Sequence, residues 1–223
     1  QVKLYLPFTN YVLTGDYKHP SLVKKEIKYS GYQELLYLHP NNFNLDPSIL
    51  DLLKVKEDEK YVIMRFVSWN ASHDIGHSGL SIEMKHKAVN ELSKYVKVFI
   101  SSEGELSDDL KQFQIKIPPE RMHDALAFAF MIYGESATMV SEGAMLGVPG
   151  IYLDDTGRLY TREQEEKYGL VFNFTESFED QEKSIKKGVE LLTAPGIKEE
   201  WQKRRQKMLA DKIDVTAFLV WFV

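Results

Sequence analysis

The chain has 223 residues, and its 43% hydrophobic and 27% charged content are those of one large globular domain, or one domain with part of another. Its net charge of −5 without a basic block argues against nucleic-acid binding, which needs many lysines and arginines to neutralise phosphates. The absence of cysteine excludes disulfides, and with no apolar run of ~18 residues and no signal peptide we expect a cytoplasmic protein without a membrane span.

The first part of the chain does not resemble a domain. Residues 1–30 contain an alternating strand pattern at Val2–Leu6 and an apolar segment at Tyr11–Thr14, and they are predicted to be a linker or the remnant of an amino-terminal domain. Residues 31–223 are predicted to form the main domain. Its first element is a short helix from Ser48 to Leu53, with a proline in the first turn.

From Tyr61 onward, buried strands alternate with helices. Strands are predicted at residues 61–67, 96–101, 115–117, 130–133, 150–153 and 170–173. Helices are predicted at residues 80–95, 106–113, 123–127, 163–168, 178–192 and 197–208, with one more between Gly134 and Gly147. This alternation predicts an α/β fold, a Rossmann-like parallel sheet with helices on both faces, whose ligands bind outside the carboxyl ends of the strands.

The segment Tyr133–Leu153 carries the strongest functional signal. It begins with a turn of small and hydroxylated residues at the start of a helix, where free N–H groups and the helix dipole favour an anion. Glu142 follows one turn later and can accept hydrogen bonds from ribose hydroxyls. Glu135 would repel a diphosphate unless its side chain turned away. The predicted anion-binding residues are Gly134, Ser136, Ala137 and Thr138; the alternative is an ordinary strand–turn–helix joint.

The loop after the first predicted strand of the sheet is long and polar. We expect Arg65 or a histidine of this loop to contact phosphate or sugar oxygens. The candidate residues are Arg65, Ser68, Trp69 and His73. His73 and His77 have the spacing of a helical zinc pair, but the glycines beside them argue against a helix, and no metal site is predicted.

Two prolines at residues 118 and 119 precede a second candidate region. They could fix a loop that holds a planar base, with Met122 or His123 as its wall, or they could simply start a helix. Two further turns, at residues 101–105 and 154–158, are either helix caps or edges of a site.

With these residues in place, the chain resembles a known family. G-E-S-A-T-M-V-S-E-G-A-M-L-G-V-P resembles the diphosphate-binding segment of the carboxy-terminal domain in glycosyltransferase-B-fold proteins, especially UDP-N-acetylglucosamine 2-epimerases. R-F-V-S-W-N-A-S-H-D-I-G-H-S-G-L and I-P-P-E-R-M-H-D resemble a domain-of-unknown-function family of predicted glycosyltransferases. The resemblance covers roughly residues 28–155. It implies that Ser136, Ala137 and Thr138, where the family has Ser-Gly-Gly, bind the diphosphate and that Glu142 binds the ribose.

The resemblance also implies a function. Such proteins have two Rossmann-like domains with the reaction between them, so an amino-terminal domain is expected as a partner. The expected ligand is a UDP-sugar, used as substrate without a further cofactor in glycosyl transfer or epimerisation for surface polysaccharides; no general base is assigned. The apolar tail Ala217–Phe222 favours self-association into a homo-oligomer. The alternatives are a non-catalytic binding or assembly module of the same fold and a receiver domain, which would need an acidic pocket.

Overall fold

The computed structural model describes residues 4, 6–17, 24–68 and 79–223 of the chain. The strands of that part form two parallel sheets. The smaller sheet pairs β1 (Val12–Gly15) with β2 (Glu26–Tyr29). The larger sheet contains β3 (Tyr61–Phe66), β4 (Lys97–Ser102), β5 (Met131–Gly134), β6 (Gly150–Leu153) and β7 (Val171–Phe174), in the spatial order β4-β3-β5-β6-β7.

Helices cover both faces of the larger sheet. The helices of the described residues are α1 (Leu35–Leu38), α2 (Ile49–Leu53), α3 (Ile82–Leu92), α4 (Met122–Phe128), α5 (Ala137–Leu146), α6 (Leu159–Glu166), α7 (Phe178–Thr193), α8 (Ile197–Asp211) and α9 (Val215–Phe222). Helices α3 and α7 pack against each other, whereas α4, α5 and α6 form a second layer. Right-handed crossovers place α3 on the opposite face from α4, α5 and α6, because the chain steps from β3 to β4 in one direction and then back across the sheet. Helix α7 follows the last strand and joins the face of α3 through its contact with that helix. The predicted Rossmann-like α/β fold is confirmed.

The middle of the sheet is the centre of the core. Every residue of β5 and β6 is buried, as expected for parallel strands covered on both faces. Helix α5 is almost as deeply buried, since nine of its ten residues are buried, and Ala137, Met139 and Glu142 among them remain 9% exposed. The helix that carries the strongest functional motif is therefore rigidly supported along its length.

The strand order creates a crevice at one edge of the sheet. Strands β3 and β5 are neighbours, but the connections that leave them run in opposite directions. Such a topological switch point opens a crevice outside the carboxyl ends of the two strands, which is where open α/β sheets bind ligands. The loops after β3 and β5 meet here, and the second of them leads into α5.

Several predicted elements differ from the structure. The helix predicted at residues 106–113 is only a 3-10 turn at Lys111–Phe113. The strand predicted at residues 115–117 does not join the sheet beyond one bridge between Ile100 and Gln114, because the two prolines that follow have no N–H to continue a ladder. Helix α6 begins at Leu159, four residues before the predicted start. The strand predicted at Val2–Leu6 falls largely outside the described residues.

The carboxy-terminal helices pack back onto the domain. The Trp201 indole N–H donates to the Leu170 carbonyl at 2.9 Å, and Arg205 Nε donates to the Met145 carbonyl at the end of α5 at 2.6 Å. Helix α9 contacts α1 but leaves Trp221 78% exposed. No helix in the described part of the chain is long and apolar enough to cross a membrane.

Candidate functional site

The start of α5 lies at the switch point and has the geometry of an anion site. Ser136 is the N-cap residue, and its hydroxyl accepts a hydrogen bond from the Met139 amide at 3.3 Å. The amides of Ala137 and Thr138 precede the first intrahelical hydrogen bonds and are free to meet a ligand. Thr138 is exposed at the surface, whereas Ser136 is half-buried. The helix start therefore offers two amides and the positive end of its dipole to an anion.

Gly134 has a structural role in this turn. Its φ of +146° lies in a region that other residues rarely adopt, and an added Cβ would lie 2.1 Å from the Arg65 carbonyl oxygen. Glycine is therefore needed because β3 and β5 approach closely at this point. Gly134 therefore contributes to the predicted phosphate-binding turn by allowing β3 and β5 to pack closely.

Glu135 is turned away from the start of α5. Its buried carboxylate accepts hydrogen bonds from the amides of Val67 at 2.8 Å and Leu80 at 2.6 Å. It also forms an ion pair with Lys85 at 3.3 Å. Because these groups hold the carboxylate at the loop after β3, the charge that would have opposed a diphosphate is neutralised and directed elsewhere.

Glu142 is positioned by two side chains from other elements. Its Oε1 accepts a hydrogen bond from the Tyr37 hydroxyl at 2.9 Å and lies 3.0 Å from His123 Nε2. The His123 ring stacks on Tyr37 with centroids 5.1 Å apart and meets the edge of Phe43 at 6.3 Å. The predicted ribose acid and the predicted wall of the base site are therefore in direct contact.

The pair of His123 and Glu142 is also coupled electrostatically. The hydrogen bond with Glu142 raises the pKa of His123, and the charges of Glu142 and Asp124 add to this, whereas partial burial opposes it. Met122 is half-buried and packs against the core at the start of α4, next to this pair. The first turn of α4 thus faces the second turn of α5, as a base site beside a ribose site requires.

Arg65 and Ser68, which were predicted to contact the ligand, both bind the Glu103 carboxylate. The Arg65 guanidinium donates to Ser101 Oγ at 2.7 Å and to Glu103 Oε1 at 2.6 Å. The Ser68 amide donates to the other carboxylate oxygen of Glu103 at 3.3 Å. Among the described residues, Arg65 Nε is buried and has no hydrogen-bond partner. The Arg65 charge is therefore already paired at the ends of β3 and β4, although its backbone borders the turn that opens α5.

Of the other predicted loops, the turn after β6 lies within the described residues, and most of the loop after β3 lies outside them. Asp154 accepts hydrogen bonds from the amides of Thr156 and Gly157 at 2.7 and 2.8 Å, so the turn after β6 is a self-contained Asx turn. Burial alone would raise the pKa of Asp154, but the Thr156 hydrogen bonds and the Arg158 charge outweigh it and lower that pKa. Trp69, His73 and His77 lie outside the described residues, and within the described residues no cluster of metal-binding side chains occurs.

Two cavities lie near the site. One, of about 170 Å³, lies between α1, α5 and α6 and reaches Thr138. The other, of about 230 Å³, lies on the α3 side of the sheet between Ile82, His86 and Leu106. The second cavity is lined by Ser102, Gly104 and Glu105 of the turn after β4, whereas only the first reaches Thr138 and extends the start of α5.

Comparison with solved structures identifies the fold. Similar structures include spinosyn rhamnosyltransferase SpnG complexed with thymidine diphosphate (12% identity, TM-score 0.52, 92% of this chain and 54% of that chain). They also include a UDP-N-acetylglucosamine 2-epimerase (17%, 0.51, 80% and 46%) and the glycosyltransferase SnogD from Streptomyces nogalater (15%, 0.51, 88% and 56%). This is the Rossmann-like α/β fold found in glycosyltransferase-B proteins.

These comparisons define the fold and no more. The chain spans about half the length of each of the solved structures that it matches. No protein family model matches the chain, and no curated protein matches its sequence.

Proposed function

We propose that this chain is the nucleotide-sugar-binding part of a glycosyltransferase-B-fold enzyme, with a UDP-sugar as its ligand. The observation that supports this most strongly is the position of Glu142. It lies one turn beyond the free amides of α5, and Tyr37 and His123 hold one of its carboxylate oxygens in place. An acid next to an anion-binding helix start suits a nucleoside diphosphate, in which a ribose is attached to the phosphates.

The proposed pose follows the three parts of the nucleotide. The diphosphate binds the amides of Ala137 and Thr138 at the start of α5. The ribose hydroxyls donate to Glu142, through Oε2 and the remaining lone pair of Oε1. The base lies against Met122 and His123 at the start of α4.

The charge of the diphosphate must be offset in this pose. The α5 dipole supplies partial positive charge, and the neighbouring acid Glu135 is neutralised by Lys85. Arg65 reaches the phosphates only if it exchanges Glu103 for them, since its guanidinium is already paired. Glycosyl transfer or epimerisation with UDP as leaving group, and the role in surface polysaccharide synthesis, remain predictions, and no general base is assigned.

Replacement of Glu142 tests the proposal. We expect Glu142→Ala to weaken UDP binding by about 1–3 kcal/mol, because a hydrogen bond between ribose and a charged group is lost. The measurement is isothermal titration of UDP into the purified chain and into the variant. Melting temperatures of both proteins show whether the fold is retained.

A matched control is Glu179→Ala, which removes a carboxylate from the exposed first turn of α7. This variant should bind UDP like the unmodified chain. Unchanged affinity in Glu142→Ala would place the ribose elsewhere, and no binding at millimolar UDP would refute the proposed ligand.

A non-catalytic nucleotide-binding module is the second candidate. It is favoured by the pairing of Arg65, near the end of β3, with Glu103, because the sequence of the loop that follows contains no other arginine. Release of UDP from UDP-N-acetylglucosamine distinguishes the two. Tight binding without any turnover would favour the module.

A further inference from the structure

The cavity between α1, α5 and α6 has an unusual lining. Its volume is about 170 Å³, which exceeds the ~30 Å³ share of one water several times. Three tyrosines contribute to the wall, together with an amide, a hydroxyl and a carboxyl group. The lining residues are Tyr17, Gln33, Glu34, Tyr37, Thr138 and Tyr160.

Glu34 is the charged residue of this lining, and it is only 7% exposed. Burial raises its pKa above the ordinary value, and the nearby Glu142 charge adds to this, while a hydrogen bond from Ser141 opposes it. Gln164 Nε2 donates to Ser141 Oγ at 2.7 Å, so the Ser141 hydroxyl is directed toward Glu34. Glu34 therefore contributes to the cavity wall, and its carboxyl group is held by the fully buried Ser141.

The chemistry of the lining favours a neutral ligand rich in hydroxyl groups. Among the described residues that line the cavity there is no lysine or arginine, so this part of the wall favours a neutral group over a phosphate. The Glu34 carboxylate can accept hydrogen bonds from hydroxyl groups, and the Gln33 amide can both donate and accept them. Tyrosine rings provide apolar faces with a polar tip, which suits the alternating C–H and O–H groups of a sugar.

The cavity is continuous with the proposed nucleotide site at two points. Thr138 belongs to the first turn of α5, where the diphosphate is proposed to bind, and Tyr37 donates its hydroxyl proton to Glu142. We infer that this cavity binds the sugar ring of the nucleotide sugar, and that Glu34 hydrogen-bonds its hydroxyl groups. This inference rests on the proposed function, because it places the sugar next to a diphosphate at α5.

Separate titrations of UDP, UDP-glucose and UDP-N-acetylglucosamine test this inference. The unmodified chain should bind at least one of the two nucleotide sugars more tightly than UDP. Glu34→Gln should weaken binding of that nucleotide sugar by about tenfold, the effect of one hydrogen bond to a charged group, and leave UDP affinity unchanged. Gln33→Ala, a change at an exposed residue, should weaken the same ligand and leave the melting temperature unchanged.

Each other outcome refutes the inference in a recognisable way. Equal weakening of UDP and the nucleotide sugar by Glu34→Gln would make Glu34 a support of the nucleotide site. Unchanged affinities in both variants would place the sugar elsewhere, while the proposed function stands. If UDP itself does not bind, the proposed function fails, and the sugar subsite fails with it.

Discussion

Glu142 is the residue around which the candidate site is arranged. Its carboxylate joins α5 to α1 through Tyr37 and to α4 through His123. A buried carboxylate needs such partners, because an unpaired charge inside a protein is strongly unfavourable. The same contacts fix the direction in which the second carboxylate oxygen points, which is the oxygen proposed to bind ribose.

Because of the His123–Glu142 pair, we expect the stability of the fold to depend on pH. The pair raises the folded-state pKa of His123 above its ordinary value of about 6.5. Its stabilising effect is therefore fully present below that value and disappears as the pH rises through the folded pKa. The melting temperature of His123→Gln should fall furthest below that of the unmodified chain near pH 5.5 and approach it near pH 8.5.

The Glu142→Gln background provides the control for this prediction. Without the carboxylate, the effect of His123→Gln should lose most of its pH dependence. A difference in melting temperature that stays constant, or grows with pH, would show that His123 is not stabilised as a cation by Glu142.

Sequence patterns identified parts of this site but not its assembly. Glu142 and His123 were predicted individually, from a helix start at a strand end and from a proline-bounded loop. Tyr37 was missed, since it lies 105 residues from Glu142 and no local pattern connects them. Arg65 was predicted to meet the ligand, and its pairing with Glu103 depends on the register of β3 and β4, which the sequence does not specify.

At the scale of elements, Glu135 connects the turn after β5 to the loop after β3. It accepts one amide at each end of the segment between Val67 and Leu80, and its ion pair with Lys85 adds α3. One buried side chain therefore holds together the three elements that surround the switch point. This arrangement explains why an acid is tolerated beside an anion-binding helix start.

Replacement of Glu135 should destabilise the fold. Glu135→Gln removes the buried charge that two amides and Lys85 satisfy, and we expect a loss of about 2–4 kcal/mol in the free energy of unfolding. Urea denaturation followed by circular dichroism measures this loss. Glu179→Gln, a surface change, should stay within about 0.5 kcal/mol of the unmodified chain; a similarly small effect of Glu135→Gln would mean that the loop ends are held by other contacts.

The elements differ in how well local patterns predicted them. Strands β5 and β6 were recognised as continuous apolar runs, and the end of α5 was marked by Gly147, whose φ of +78° confirms the predicted helix stop. The apolar residues 115–117 were also taken as a strand. That prediction is wrong, because only one bridge, between Ile100 and Gln114, connects this segment to β4. The two prolines that follow cannot extend the bridge into a ladder.

At the scale of the whole molecule, strand order alone does not decide the function. The order β4-β3-β5-β6-β7 is the 2-1-3-4-5 order that flavodoxin-like and receiver folds also have. The residues at the switch point distinguish these classes. A receiver needs an acidic pocket after its early strands, whereas β3 is followed here by Val67 and Ser68, and the nearby Glu103 is paired with Arg65.

Amide chemical-shift mapping of the 15N-labelled chain during titration with UDP tests where the nucleotide binds. We expect the largest shifts at the amides of Ala137 and Thr138, with smaller shifts around His123 and Glu142. Shifts confined to the α3 side of the sheet, near His86 and Leu106, or no shifts at millimolar UDP, would contradict the account.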